Sequence, residues 1–99
     1  MKAISDWANR CGVTLFRERD KSRLVGFYIS HGAETFQVVL EVADTVRVDV
    51  WSIETKNDQE IHVTYFVPKE EIVPALNKVV SAIRLWFSNS VRFPASLAG

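Results

Sequence analysis

The sequence predicts an α+β domain: a five-stranded antiparallel meander between a short N-terminal helix and a long C-terminal helix, in the order α-β-β-β-β-β-α. Three observations predict it. Residues 34–67 alternate apolar and polar with period two, as half-buried strands do. The short breaks between the alternating runs pair the strands in registers that agree with one another. Residues 68–88 then change to a helical period with one apolar side.

In residues 34–42, Phe36, Val38, Leu40 and Val42 fall on one face and Thr35, Gln37, Val39 and Glu41 on the other. In residues 46–54, Val46, Val48, Val50 and Ser52 oppose Arg47, Asp49, Trp51 and Ile53. In residues 60–67, Ile61, Val63, Tyr65 and Val67 oppose Glu60, His62, Thr64 and Phe66. A three-residue turn, Ala43-Asp44-Thr45, sets Val42 against Val46, Leu40 against Val48 and Val38 against Val50. It also sets Glu41 against Arg47, a favourable cross-strand charge pair. A two-residue turn at Lys56-Asn57, where Asn accepts positive φ, sets Thr55 against Asp58, Val50 against Val63 and Val48 against Tyr65. A slip by one residue would turn a whole strand over, so two turns that both gather the valines on one face support each other.

Ala3, Ile4, Trp7, Ala8 and Cys11 form one stripe at helical spacing. Residues 2–11 are therefore a helix, with Gly12 as its C-terminal cap and Trp7 as its anchor to the sheet. Residues 13–19 and 23–31 form the first hairpin around Asp20-Lys21-Ser22. The next turn, Gly32-Ala33, suits type II′ and pairs His31 with Glu34, Ile29 with Phe36, Phe27 with Val38 and Val25 with Leu40. That leaves Leu24, Gly26 and Tyr28 on the second face.

After Val67, Pro68-Lys69-Glu70-Glu71 reads as a helix start, with proline first and acids at the positive end of the dipole. The helix runs to Phe87 or Ser88 and lies across the valine face. Pro74, on its polar half, is expected to bend it or delay its start. Leu85 is its one large apolar residue turned outward. Residues 88–99 are a tail, mobile or docked through Val91, Phe93 and Leu97.

The chain of 99 residues is one domain over 1–99, long enough for one core. Its net charge of zero gives no bulk attraction to nucleic acid or a membrane. The charge is uneven: residues 34–71 carry nine acids and three bases, whereas residues 1–33 carry six bases and three acids. The single cysteine, Cys11, fits a reducing compartment. With no signal pattern and no long apolar run, the expectation is a soluble cytoplasmic protein.

No motif for catalysis, phosphate binding or metal binding is present. One cysteine and two separated histidines give no ligand spacing, so neither a metal nor a cofactor is expected. His31 sits in a turn without a nucleophile near it. The second face of the sheet is unusual: it gathers Trp51, Phe66, Tyr28, His62, Asp49, Arg47 and Glu41. Aromatics mixed with Arg, Asp and His are the composition of recognition surfaces. The acids among them argue against single-stranded nucleic acid, which wants a basic surround.

The expected function is a protein–protein interaction or self-associating module of adaptor, chaperone-like or inhibitor type. As a homodimer it would carry Trp51 near the two-fold axis and Arg47, Asp49 and Glu41 at the rim. The alternative is a small-ligand binder, conceivably an enzyme, built on His62, Asp49 and Trp51. No catalytic residue is assigned.

Overall fold

The computed structural model describes residues 2–18, 21–55, 58–89 and 92–97. It consists of α1 (Lys2–Cys11), β1 (Phe16–Glu18), β2 (Lys21–His31), β3 (Glu34–Glu41), β4 (Thr45–Glu54), β5 (His62–Pro68), a 3₁₀ turn (Lys69–Glu71) and α2 (Ile72–Asn89). The strands pair antiparallel in sequence order in one open sheet, which is the predicted architecture.

The helix α1 ends as its sequence requires. Gly12 takes φ +69°. Its N–H donates to Asn9 O at 3.4 Å, and the Val13 N–H donates to Ala8 O at 2.9 Å. These are the paired bonds of a Schellman closure, which needs a left-handed residue at this position. At the tight turn between β2 and β3, Gly32 takes φ +61° and Ala33 does not, as type II′ demands.

Both registers around β4 are as the turns predict. Val38 opposes Val50, Leu40 opposes Val48 and Glu41 opposes Arg47. Val50 opposes Val63, Val48 opposes Tyr65 and Trp51 opposes His62. The β2–β3 register also agrees, from His31↔Glu34 to Val25↔Leu40. The aligned face is dry: Phe27, Phe36, Val38, Leu40, Val46, Val48 and Val50 are fully buried. They share one core with Ile4, Trp7 and Ala8 of α1 and with Ile72, Leu76, Val79 and Ile83 of α2. Both helices therefore lie on the same side of the sheet. Among the described residues, none forms a helix over the other side.

Pro74 delays the helix rather than kinking it. A 3₁₀ turn takes residues 69–71, and α2 begins at Ile72. Pro74 thus falls in the first turn, where a backbone N–H has no intrahelical acceptor in any case. The helix runs one residue past the expected end, to Asn89.

Several boundaries differ from the sequence reading. β3 ends at Glu41 rather than Val42, and Thr45, expected in the turn, begins β4 and pairs with Pro68. β1 has three residues, not seven, because the chain leaves the closure of α1 at Val13 and meets β2 only at Phe16. β2 begins at Lys21, which pairs with Glu18, so Lys21 and Ser22 belong to the strand and not to the turn; Asp20 lies outside the described residues. β5 begins at His62 rather than residue 60. The segment before it is held by hydroxyls: Ser52 Oγ and Thr55 Oγ1 both donate to Gln59 O at 3.1 Å, and the Ile61 N–H donates to Ser52 Oγ at 2.8 Å. Asp58, at φ +52°, donates its N–H to Thr55 O at 3.3 Å. The predicted turn residues Lys56 and Asn57 lie outside the described residues.

Residues 92–97 pack back on the core. Phe93 lies against Phe36, with ring centroids 5.5 Å apart, and Leu97 is buried. Tyr65 Oη donates to Pro94 O at 2.6 Å and Lys78 Nζ donates to Leu97 O at 2.8 Å. Burial pushes the Tyr65 phenol above its ordinary pKa of 10.0, which keeps it a donor. Val91 lies outside the described residues.

Candidate functional site

The uncovered face is built from the strand registers alone. Side chains that share a face recur every second residue, so opposed residues form rows across the sheet. One row runs Tyr28, Gln37, Trp51, His62; the next runs Gly26, Val39, Asp49, Thr64; the third runs Leu24, Glu41, Arg47, Phe66. All seven residues singled out from the sequence fall in these rows.

Asp49 is the centre. Its residue is 7% exposed although, among the described residues, no helix lies over it; its own neighbours bury it. Thr64, directly opposite, donates Oγ1 to Asp49 Oδ1 at 2.6 Å. His62, on the diagonal, brings Nε2 to 3.3 Å from the same oxygen. Arg47, two residues back on the same strand, places Nε 3.0 Å from Oδ2. A buried carboxylate is tolerated only when its oxygens are hydrogen-bonded; Thr64 and Arg47 donate to them, and His62 Nε2 does so when it carries the proton.

The aromatic part is organised around the same cluster. The Trp51 and His62 rings stack, with centroids 4.8 Å apart and planes at 23°. Phe66, opposite Arg47, is 66% exposed, and Tyr28 and Ile53 are more than half exposed. Tyr28 stands apart from Trp51, with Gln37 between them; Gln37 Nε2 donates to Tyr28 Oη at 3.4 Å. Tyr28 instead stacks on Phe16 at 5.2 Å. Ile53 is the extra residue where the β3–β4 register shifts, since Phe36 opposes Ser52 and Thr35 opposes Glu54.

The expected charge pair between Glu41 and Arg47 is not what the side chains make. The two residues oppose each other, but among the described residues the ion pair of Arg47 is with Asp49. The more buried carboxylate gains more from a guanidinium than an exposed one does.

Sequence reasoning did not single out two residues that shape this surface. Thr64 is one; its signal was its place opposite Asp49. Phe16 is the other. Its ring lies over Gly26, so a Cβ on Gly26 would overlap that ring and stand 2.8 Å from Val38 O. A glycine inside an alternating strand was the available sign of such close approach. Gly26→Ala is expected to destabilise the domain by about 1–3 kcal/mol, the usual range for overpacking, read as a lower urea midpoint at unchanged slope. An unchanged midpoint would mean that the ring moves aside freely.

Asp49 spends both oxygens on its neighbours, while the Arg47 and His62 side chains stay about half exposed, and a recess of about 450 Å³ lies beside Trp51 and His62. The larger recesses lie elsewhere: one of about 850 Å³ between Cys11–Thr14, Tyr28 and Arg84, and one of about 820 Å³ under Ile61, Val63, Tyr65 and Phe93. His31, the other histidine, stacks on Phe87 at 5.6 Å. Among the described residues, no group of three or more His, Cys, Asp or Glu could hold a metal ion, and no helix is long and apolar enough to cross a membrane. Set beside models of known families, curated proteins and solved structures, the chain finds no match in any of the three comparisons.

Proposed function

We propose that the protein is a protein–protein interaction module, adaptor, chaperone-like or inhibitor in kind, that self-associates as a homodimer with the uncovered sheet face contributing to the contact. One observation carries this reading: the side of the sheet away from both helices bears Phe66, Tyr28 and the Trp51–His62 stack around a hydrogen-bonded Asp49. Soluble monomers rarely leave contiguous apolar patches above a few hundred Å². The bonds of Asp49 hold Thr64 and Arg47 in place before binding, which lowers the ordering cost. The composition is that of an interface centre, aromatic with arginine at its edge.

Trp51→Ala is expected to weaken the dimer by about 2 kcal/mol or more, as truncation of a buried aromatic anchor does. It should leave the monomer fold nearly intact, because Trp51 lies outside the main core. Sedimentation of both proteins over a concentration series is the test. A wild type that stays monomeric at high micromolar concentration ends the self-association reading.

A further inference from the structure

The two edges of the sheet are built differently. β1 has only three residues, a register shift between Arg17 and Glu18, and charge along it. Shortness, irregularity and charge are the devices by which an edge avoids pairing with another chain. β5 has none of these three; its one protective feature is Pro68, at the C-terminal end. Its seven residues pair with β4 without a shift, from Trp51↔His62 to Thr45↔Pro68. Between His62 and Val67 it carries no Asp, Glu, Lys or Arg.

The direction of its free hydrogen-bonding groups follows from the bonds at its two ends. The Ser52 N–H donates to Ile61 O at 2.8 Å, and the Lys69 N–H donates to Asp44 O at 3.0 Å. In an antiparallel ladder the bonded side alternates residue by residue. Ile61, Val63, Tyr65, Val67 and Lys69 therefore turn their backbone groups toward β4. His62, Thr64 and Phe66 turn theirs outward, and among the described residues no strand meets them. Pro68 holds the next outward position. It has no N–H to offer, and such positions on an edge are where a strand tolerates proline.

We infer that β5 is the seam of a homodimer, in which the β5 edges of two copies pair antiparallel about a two-fold axis at Thr64. The inference rests on the self-association reading above and names its contact. In this register Thr64 opposes Thr64 of the second copy, and His62 opposes Phe66. Each opposed pair exchanges both of its backbone bonds, about six bonds in all. Moving the axis one residue toward Pro68 would oppose His62 to a residue without a donor, so the Thr64-centred register uses the open edge best.

A second copy fits this edge better than an unrelated strand for two reasons. The outward set is uncharged, so two copies meet without like-charge repulsion. The same register also brings the exposed Phe66 of each copy beside the Trp51–His62 stack of the other, an aromatic cross-strand contact. With the axis perpendicular to the sheet, the two uncovered faces lie on one side of a continuous ten-stranded sheet. The uncovered face thus contributes to the contact at the seam, where Phe66 of each copy packs on the Trp51–His62 stack of the other.

Phe66→Pro tests this. The Phe66 N–H points away from β4, so proline removes no bond of the monomer, while the dimer loses the bonds it makes at both ends of the seam. Dimer dissociation is expected to rise by about 30-fold, with the thermal transition of the monomer retained. Phe66→Lys, which places on the edge the charge that edges normally carry, should act in the same direction. Amide exchange of the wild type gives a readout independent of either variant. The amides of His62, Thr64 and Phe66 should gain protection as concentration rises, while those of Val63, Tyr65 and Val67 are protected throughout. A dimer that withstands both substitutions, or whose three outward amides exchange equally fast at all concentrations, overturns the seam and leaves self-association standing. A wild type monomeric throughout overturns both.

Discussion

Val50→Asp is expected to abolish the folded state. Val50 sits on the middle of β4, fully buried, opposite Val38 on one side and Val63 on the other. Its surroundings are valine, phenylalanine and leucine side chains of the sheet and the apolar face of α2. In that core Tyr65 Oη and Trp7 Nε1 are already given to Pro94 O and Asn77 Oδ1, and an unpaired charge there costs several kcal/mol. A domain of this size has roughly 5–15 kcal/mol of stability in total, and the loss of the valine packing adds to the charge penalty.

Asp49, one residue earlier, makes the comparison internal. It is nearly as buried, yet it faces the other way, where Thr64, His62 and Arg47 supply its hydrogen bonds. The same side chain is thus structural at 49 and ruinous at 50, and the difference is the period of the strand. Thermal melting followed by far-ultraviolet circular dichroism is the measurement. The expected trace has no cooperative transition, while Val50→Ala should keep one at a lower midpoint. A cooperative melt of Val50→Asp near the wild-type temperature would contradict the register on which the uncovered face depends.

That register was the most legible part of the chain. Alternation and turn length together placed Val38, Val48, Val50 and Val63 in one layer, and the same step placed Trp51 beside His62 and Asp49 beside Thr64. What could not be read was decided by contacts between distant segments. Residues 13–15 have the alternation of a strand, but the closure of α1 at Gly12 sets where the chain emerges and so shortens β1 to Phe16–Glu18. Residues 60 and 61 have the alternation of β5, but the hydroxyls of Ser52 and Thr55 hold Gln59 and delay the strand to His62. Register alone sets Glu41 against Arg47, but burial of Asp49 draws the guanidinium along its own strand. The tail gave no periodic signal, since Phe93, Pro94 and Leu97 dock by single contacts rather than by a repeating face.

Trp7→Ala is expected to cost about 3–5 kcal/mol, the range for truncating a buried large aromatic side chain. A ten-residue helix has little stability of its own, so α1 persists through what it buries: Ile4, Trp7 and Ala8. Trp7 is the largest of these and is 1% exposed. Its ring lies against Phe27 of β2 with centroids 5.2 Å apart, and its indole Nε1 donates to Asn77 Oδ1 at 2.9 Å. One side chain thus ties α1 to the sheet by packing and to α2 by a hydrogen bond. Trp7→Phe separates the two effects. It retains much of the ring and loses the donor, and because Asn77 is exposed its amide can turn to water, so a cost of about 1 kcal/mol is expected beyond the change in volume. Urea unfolding of the wild type, Trp7→Phe, Trp7→Ala and Asn77→Ala gives the energies. Amide exchange across residues 2–11 shows whether α1 detaches before the rest, as a helix held by one anchor should once the anchor is gone. If Trp7→Ala falls within 1 kcal/mol of the wild type with α1 still protected, the packing against Phe27 contributes little, and the helix must be held through Ile4 and Ala8 instead.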